Sequence, residues 1–242
     1  LKVLLCTLLV HILDIILNIF FLLYQTTFLL QKSFHNSLSI NLLNSVDLLL
    51  AEDTRKTSIL LKHHNIKNKE LRSYHQYNEH KIKENIINKL LSGISVGIVS
   101  DAGTPGICDA GYLIIKEAIK HNIDVECLPG ATAFVPALIS SGLPCDNFVF
   151  LGFLPHKKGK EKTIRYISQE DKTIVFYESP YRIRKTIELL DKYIDNTREV
   201  VIVRELTKIY EEKIRGNTKE LLELLYNNPI KGEIVVVVSG KK

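Results

Sequence analysis

From Ser45 onward, short apolar runs alternate with amphipathic stretches, and this alternation constrains the fold more than any other feature of the sequence. Val46–Ala51 is an apolar run ending in Glu-Asp-Thr-Arg, the signature of a buried strand and its exit loop. Glu79–Leu91 spaces Ile82, Ile86 and Leu90 four residues apart on one helical face, and Gly93 stops that helix. Ile94–Ser100 reads as a strand running into the loop Asp101-Ala-Gly-Thr-Pro-Gly106, followed by a helix over Ala110–His121. Val125–Leu128 reads as another strand, ending at Pro129-Gly130 before an alanine-rich helix that reaches about Ser140. Thr173–Tyr177, Val200–Arg204 and Ile234–Val238 are β-branched runs, separated by helical stretches at Tyr181–Tyr193 and Thr218–Tyr226. The class is therefore α/β with mostly parallel strands. Its halves join near Ile123–Pro129, giving an N-terminal domain over 45–124 and a C-terminal domain over 125–242.

Ligands in such folds bind at loops leaving the carboxyl ends of strands. Three of these loops are rich in small residues: Ser100–Gly106, Leu128–Ala133 and Glu178–Pro180. Small residues let the backbone approach a flat ligand and read it through N–H and C=O groups. Taken singly, each loop also reads as an ordinary tight turn. Neither G-x-G-x-x-G nor G-x-x-x-x-G-K-[ST] occurs, which disfavours nicotinamide dinucleotides and P-loop nucleotides.

The net charge of +5 is concentrated rather than spread. Between Leu154 and Lys185 lie nine Lys/Arg against four Asp/Glu, so this window carries the whole excess. A local cationic patch suits a polyanion such as RNA; the plainer alternative is a solvated lysine-rich loop. With 45% hydrophobic and 24% charged residues, the chain is neither disordered nor low in complexity. Cys6, Cys108, Cys127 and Cys145 are too scattered for a zinc site or a disulfide framework, which points to reduced thiols, a cytoplasmic setting and no metal.

The first 44 residues stand apart. Ile15–Gln31 holds 17 residues without a charge, at the lower limit of a membrane span, but Asn18, Gln25, Thr26 and Thr27 interrupt it. A membrane anchor, a core helix and a divergent or damaged segment all remain open, and a membrane partner is the disfavoured reading. The chain opens at Leu1 and contains no methionine, which implies either residues upstream or a misread gene start.

The longer motifs are more specific. Ala51-Glu-Asp-Thr-Arg-Lys-Thr57, Ser73-Tyr-His75 with Asn78-Glu79, and Ser100-Asp-Ala-Gly-Thr-Pro-Gly106 lie in the first half. Pro129-Gly130, Ser141-Gly-Leu-Pro144, Gly152-Phe-Leu-Pro155, Phe176-Tyr-Glu-Ser-Pro180 with Arg182, Arg204-Glu-Leu-Thr-Lys208 and Gly232-Glu233 follow in order. Together, from about Ser45 to the C-terminus, they resemble the ribosomal RNA small subunit methyltransferase I family of the tetrapyrrole methylase superfamily.

The resemblance implies two α/β domains with S-adenosylmethionine in the cleft between them, usually in a homodimer. It implies methylation of the ribose 2′-oxygen of a cytidine in small-subunit (16S) ribosomal RNA, or in the 30S subunit. On the same basis Ala102, Gly103, Thr104, Pro105 and Ile107 would line the cofactor. Thr132 and Ala133 would meet its adenosine, and Tyr177 and Leu206 would approach it from the second domain.

Methyl transfer from a sulfonium depends chiefly on alignment, and a ribose hydroxyl benefits from a base or from a cation beside the developing alkoxide. Asp101, Glu178 and Lys208, on strand-end loops, are the candidates, each with loop capping or ion pairing as its plainer reading. Glu52 and Arg55 would bind RNA or brace a dimer. Lys157, Lys158, Lys160 and Arg182 would contact phosphates, with Tyr181 stacking on an unpaired base.

The family opens with a T-P-I-G-N-L-x-D loop, whose register is traced here as Thr7–Asp14 with Leu8 and Val10 in place of its proline and glycine. An apolar insert, Phe20–Ile40, lengthens the path to Glu52. These changes bear on catalytic competence. A catalytically impaired RNA-binding protein and a relative acting on a tetrapyrrole are the alternatives.

Overall fold

The computed structural model describes residues 39–241. The Thr7–Asp14 register, Cys6, the apolar stretch Ile15–Gln31 and nearly all of the insert Phe20–Ile40 lie outside the described residues. Among the described residues no helix is long and apolar enough to cross a membrane. The chain divides into two compact units, one ending at Ala131 and one beginning at Thr132.

In the first unit, helical residues 39–45 (α1) lead into β1 (Leu48–Ala51), α2 (Thr54–His63) and β2 (Glu70–Ser73). Then come α3 (Glu79–Leu91), β3 (Val96–Val99) and α4 (Tyr112–Lys120). The sheet order is β2-β1-β3, and both pairings are parallel, with Leu48 opposite Glu70 and Val96. β1 is wholly buried, because successive side chains point to opposite faces and both faces are covered. Leu48 and Leu50 pack with Tyr74, Ile86, Ala110 and Ile114, while Leu49 packs with Leu43, Leu61 and Ile66. Gly97 admits this packing, since a β-carbon there would come within 2.8 Å of the Leu49 side chain. Asp53 starts α2 as its N-cap, accepting a hydrogen bond from the Arg55 N–H at 2.9 Å.

The second unit runs α5 (Phe134–Ser141), β4 (Phe148–Phe153), α6 (Lys160–Gln169), β5 (Thr173–Glu178) and α7 (Ile183–Asp191). It continues with β6 (Val200–Arg204), β7 (Glu212–Gly216), α8 (Thr218–Asn227) and β8 (Ile234–Val238). Its five strands take the order β4-β5-β8-β6-β7. Ile174, Phe176, Ile202, Val236 and their neighbours meet α6, α7 and α8 on one face. Val175, Val201, Val203, Val235 and Val237 meet Ala137 and Leu138 of α5 on the other. A capping box fixes the start of α8, with Asn217 accepting from the Glu220 N–H and Glu220 accepting from the Asn217 N–H.

Three expectations change. The second sheet is mixed: only β4 and β5 pair in parallel, and β8 is antiparallel to both β5 and β6. The seven-residue return from β6 to β7 also enforces an antiparallel pair. Val125–Leu128 forms no strand, because it has no ladder partner among the described residues. Finally, the units divide at Ala131 rather than at 124/125. Thr104 Oγ1 donates to Ala131 O at 3.2 Å and ties this segment to the first unit.

Candidate functional site

Because β1, β2 and β3 are parallel, the loops after Ala51, Ser73 and Val99 leave the same edge of the sheet. They enclose a cavity of about 240 Å³ lined by Glu52, Tyr74–Tyr77, Ile98–Ser100 and Asp109–Ala110. The Asp101 N–H donates to Glu52 Oε2 at 3.1 Å, and Lys56 Nζ donates to Asp101 Oδ2 at 2.5 Å. Asp109 is raised above the usual carboxylate range by burial first, and then by the neighbouring charges of Glu52 and Asp101. Arg55 points outward, its side chain 88% exposed and held as a fork by Asp53.

The Ser100–Gly106 loop turns at Gly103 (φ 78°) and Gly106 (φ 84°), left-handed angles that favour glycine. Ser100 Oγ donates to Gly103 O at 3.0 Å, which closes the turn and leaves Asp101, Ala102 and Gly103 exposed. Thr104 and Pro105 are half-buried, while Ile107 is exposed. A β-carbon on Gly130 would sit 3.1 Å from Thr104 Oγ1, so the Pro129-Gly130 turn packs closely against this loop. Two of the three small-residue loops are thus brought together.

In the second unit Thr132 and Ala133 precede α5, and Ala133 is its N-cap. Tyr177 and Leu206 both pack on the sheet face that α5 covers. Tyr177 is also flanked by the rings of Phe150 and Phe153, each 5.2 Å away.

Glu178 ends β5 with a fully buried side chain. Its carboxylate receives Arg182 Nη2 at 2.8 Å, Thr186 Oγ1 at 2.6 Å, the Ser179 N–H at 2.7 Å and Lys160 Nζ at 3.4 Å. The structure thus puts Glu178 in its plainer role, an ion-paired brace with no edge left for a reactant. Lys208 is half-exposed, and its Nζ lies 3.1 Å from both Glu205 and Glu233. Hydrogen bonds to Glu205, then to Glu233, hold its pKa above the ordinary lysine value, so Lys208 is a fixed cation rather than a base.

Beside this brace lies a groove of about 450 Å³, lined by His156, Lys157, Lys160, Tyr181, Arg182, Lys185, Glu188, Leu189 and Lys192. Tyr181 is 93% exposed at its edge. Lys157, Lys160 and Arg182 are gathered here, whereas Lys158 is not among the lining residues. Lys185 and Lys192 are additions. The spacing Arg182, Lys185, Leu189, Lys192 follows one face of α7, a periodicity legible in the sequence.

Residues 39–222 match the family described as Tetrapyrrole (Corrin/Porphyrin) Methylases. Among solved structures, the chain resembles a uroporphyrin-III C-methyl transferase from Thermus thermophilus complexed with S-adenyl homocysteine, with a TM-score of 0.55 and 16% identity. That alignment covers 83% of this chain and 88% of the other. The methyltransferase CobJ gives a TM-score of 0.55 at 18% identity, over 81% of this chain and 95% of its own. These likenesses show the fold.

The decisive similarity is in sequence. A protein named ribosomal RNA small subunit methyltransferase I from Hydrogenobaculum sp. (strain Y04AAS1) is 46% identical over 202 residues, covering 83% of this chain and 87% of the relative. The chain belongs to the ribosomal RNA small subunit methyltransferase I family. Members with that name from Streptococcus pyogenes serotype M1 (47% identical, 82% of this chain and 69% of the relative) and Synechocystis sp. (40%, 84% and 72%) agree. Family membership accounts for the ordered motifs from Ala51 to Glu233. His75 and Asp109, which share the cavity with Glu52, were not singled out as site residues from the sequence, because nothing in their spacing announces that they converge.

Proposed function

We propose that this protein transfers a methyl group from S-adenosylmethionine to the ribose 2′-oxygen of a cytidine in small-subunit ribosomal RNA. It acts in the cytoplasm as a homodimer, on the RNA or on the 30S subunit. The observation that carries the RNA reading is the cationic groove of the second unit, with an exposed tyrosine at its edge. A polyanion with unpaired bases is the chemistry it fits.

The exposed, glycine-turned backbone of Ala102–Gly103, followed by Thr104 packed against Gly130, fits a flat adenosyl group, as do Thr132 and Ala133 ahead of α5. We assign Ala102, Gly103, Thr104, Pro105, Ile107, Thr132, Ala133, Tyr177 and Leu206 to holding it. When bound, S-adenosylmethionine supplies an activated methyl on a sulfonium. A carbon–sulfur bond breaks as a carbon–oxygen bond forms, S-adenosylhomocysteine leaves, and the hydroxyl proton passes to a base.

Asp101 is the proposed acceptor of that proton; it sits on the exposed turn and is steadied by Lys56. Lys208, kept cationic by Glu205 and Glu233, stabilises the developing alkoxide. Glu178 acts at one remove, positioning Lys160 and Arg182 for phosphate contacts alongside Lys157 and Lys158. Arg55 adds an outward-facing cation on the first unit.

The test supplies methyl-labelled S-adenosylmethionine with three acceptors: small-subunit RNA, assembled small subunits and a uroporphyrin-type tetrapyrrole. Label in either RNA arm and none in the tetrapyrrole supports the reading. Label in the tetrapyrrole alone, or in none of the three, overturns it.

A further inference from the structure

The cavity of the first unit contains chemistry that the roles above leave unused. Ile98 and Ala110, which pack in the same core cluster, give it an apolar side. An aromatic wall stands at one side: Tyr77 is 93% exposed, and its ring meets that of His75 at 5.9 Å in an edge-on arrangement. Glu52 and Asp109 contribute carboxyl groups, and the Nδ1 atom of His75 is buried without a hydrogen-bond partner. Such an orphaned polar atom is costly unless something pairs with it.

These walls exclude several occupants. Among the described residues no lysine or arginine lines the cavity, so none of them would hold a phosphate there. Among the described residues no three His, Cys, Asp or Glu side chains converge as metal ligands would. At about 240 Å³ the space is smaller than an ordinary pocket for a whole cofactor, which spans roughly 300–1,000 Å³. What remains is a small planar ring, apolar on its faces, with hydrogen-bond donors on its edge.

We propose that this cavity receives the target nucleobase, turned out of the RNA, and that Glu52 and Asp109 recognise its exocyclic amino group. The proposal rests on the RNA-methylating reading above and names the base subsite for it. Carboxylates accept from the amino group of cytosine, and enzymes that work on single nucleotides commonly extrude them into such pockets. Tyr77 and the apolar side formed by Ile98 and Ala110 supply the ring faces. Burial, then the neighbouring charges of Glu52 and Asp101, raises Asp109 above its ordinary value. A keto pyrimidine such as uracil presents the opposite pattern and is rejected.

The test measures binding of free cytidine and free uridine, nucleosides without phosphate, by equilibrium titration of the full chain. The native protein is expected to favour cytidine by about tenfold, the lower range for one good base-edge pair. Asp109→Asn and Glu52→Gln bring the ratio toward one, and Tyr77→Ala weakens both nucleosides alike. Thermal melts confirm that each variant is folded. Calorimetry with S-adenosylmethionine on the same variants is expected to show unchanged affinity.

Equal binding of the two nucleosides by the native protein overturns the proposal. So does a preference that survives both carboxyl substitutions, or loss of S-adenosylmethionine affinity in their place. If cytidine is selected but no RNA is methylated, the subsite stands and the methyltransferase reading falls.

Discussion

Glu205 occupies the space that a side chain on Gly232 would need: a β-carbon there would overlap the Glu205 carboxylate. The contact is reciprocal. The Glu205 N–H donates to Glu233 O at 2.9 Å, and the Glu233 N–H donates to Glu205 Oε1 at 2.8 Å. Glu205 (φ 48°) and Thr207 (φ 64°) both take left-handed angles, so the loop is held in a strained path by these bonds. Two motifs separated in sequence, Arg204–Lys208 and Gly232-Glu233, are one structural node, and Lys208 is its outward-facing cation.

Gly232→Ala is therefore expected to displace Glu205 and with it Lys208. Because Gly232 has φ 94°, the substitution is strained as well as crowded, at a cost on the order of 1–3 kcal/mol. Methyl transfer is expected to fall by about tenfold or more while RNA affinity, which rests on the cationic groove, changes little. Steady-state kinetics beside RNA titrations separate the two effects.

The brace around Glu178 makes a different prediction. Its carboxylate is the shared partner of Lys160, Arg182 and Thr186. Glu178→Ala leaves two cations of a buried cluster uncompensated, at a cost of about 3–5 kcal/mol. Urea unfolding is expected to show a midpoint shifted well below that of the native chain. An unchanged midpoint would mean that solvent reaches the cluster.

Lys157, Lys185 and Lys192 face the groove without belonging to the brace. Each phosphate contact to single-stranded nucleic acid contributes a slope of about −0.7 to log affinity against log salt. Replacing all three by glutamine is expected to flatten that slope by about 2. Tyr181→Ala is expected to cost about 1–3 kcal/mol of RNA affinity while leaving the slope alone, because stacking is not electrostatic. Filter binding over a salt series reads both outcomes.

Acid stability follows from Asp53. Hydrogen bonds from Arg55 lower its carboxyl from 3.8 to about 2. A depressed folded-state pKa gives stability that is complete above the unfolded value and lost as pH falls through the folded one. Relative to Asp53→Asn, the native chain should hold its full advantage above about pH 4 and lose it near pH 2. Thermal midpoints measured across that range check the sign.

Much of this was legible in the sequence where burial was two-sided. The Leu48–Ala51, Val200–Arg204 and Ile234–Val238 runs became fully buried or nearly fully buried strands, and Glu79–Leu91 became a helix over that span. Edge elements were not legible. β2 (Glu-Leu-Arg-Ser) has no fully buried residue, β7 buries only Ile214, and α2 buries only Thr57 and Leu61, so their periodic signal is weak. Of the site, the basic window translated into a groove because its cations are close in sequence. The Glu52–His75–Asp109 cavity did not, because three separate strand ends build it. Glu178 shows the remaining gap: a loop-edge glutamate and a buried brace look alike until the helix behind it supplies Thr186 and Arg182.

The central claim is tested most directly by nucleoside analysis of small-subunit RNA treated with the protein and S-adenosylmethionine. The account predicts a cofactor-dependent 2′-O-methylcytidine at one position, resistant to alkaline cleavage and lost in Lys208→Ala. RNA left unmodified by a folded, RNA-binding protein, or methylated on a base instead of the ribose, would contradict it.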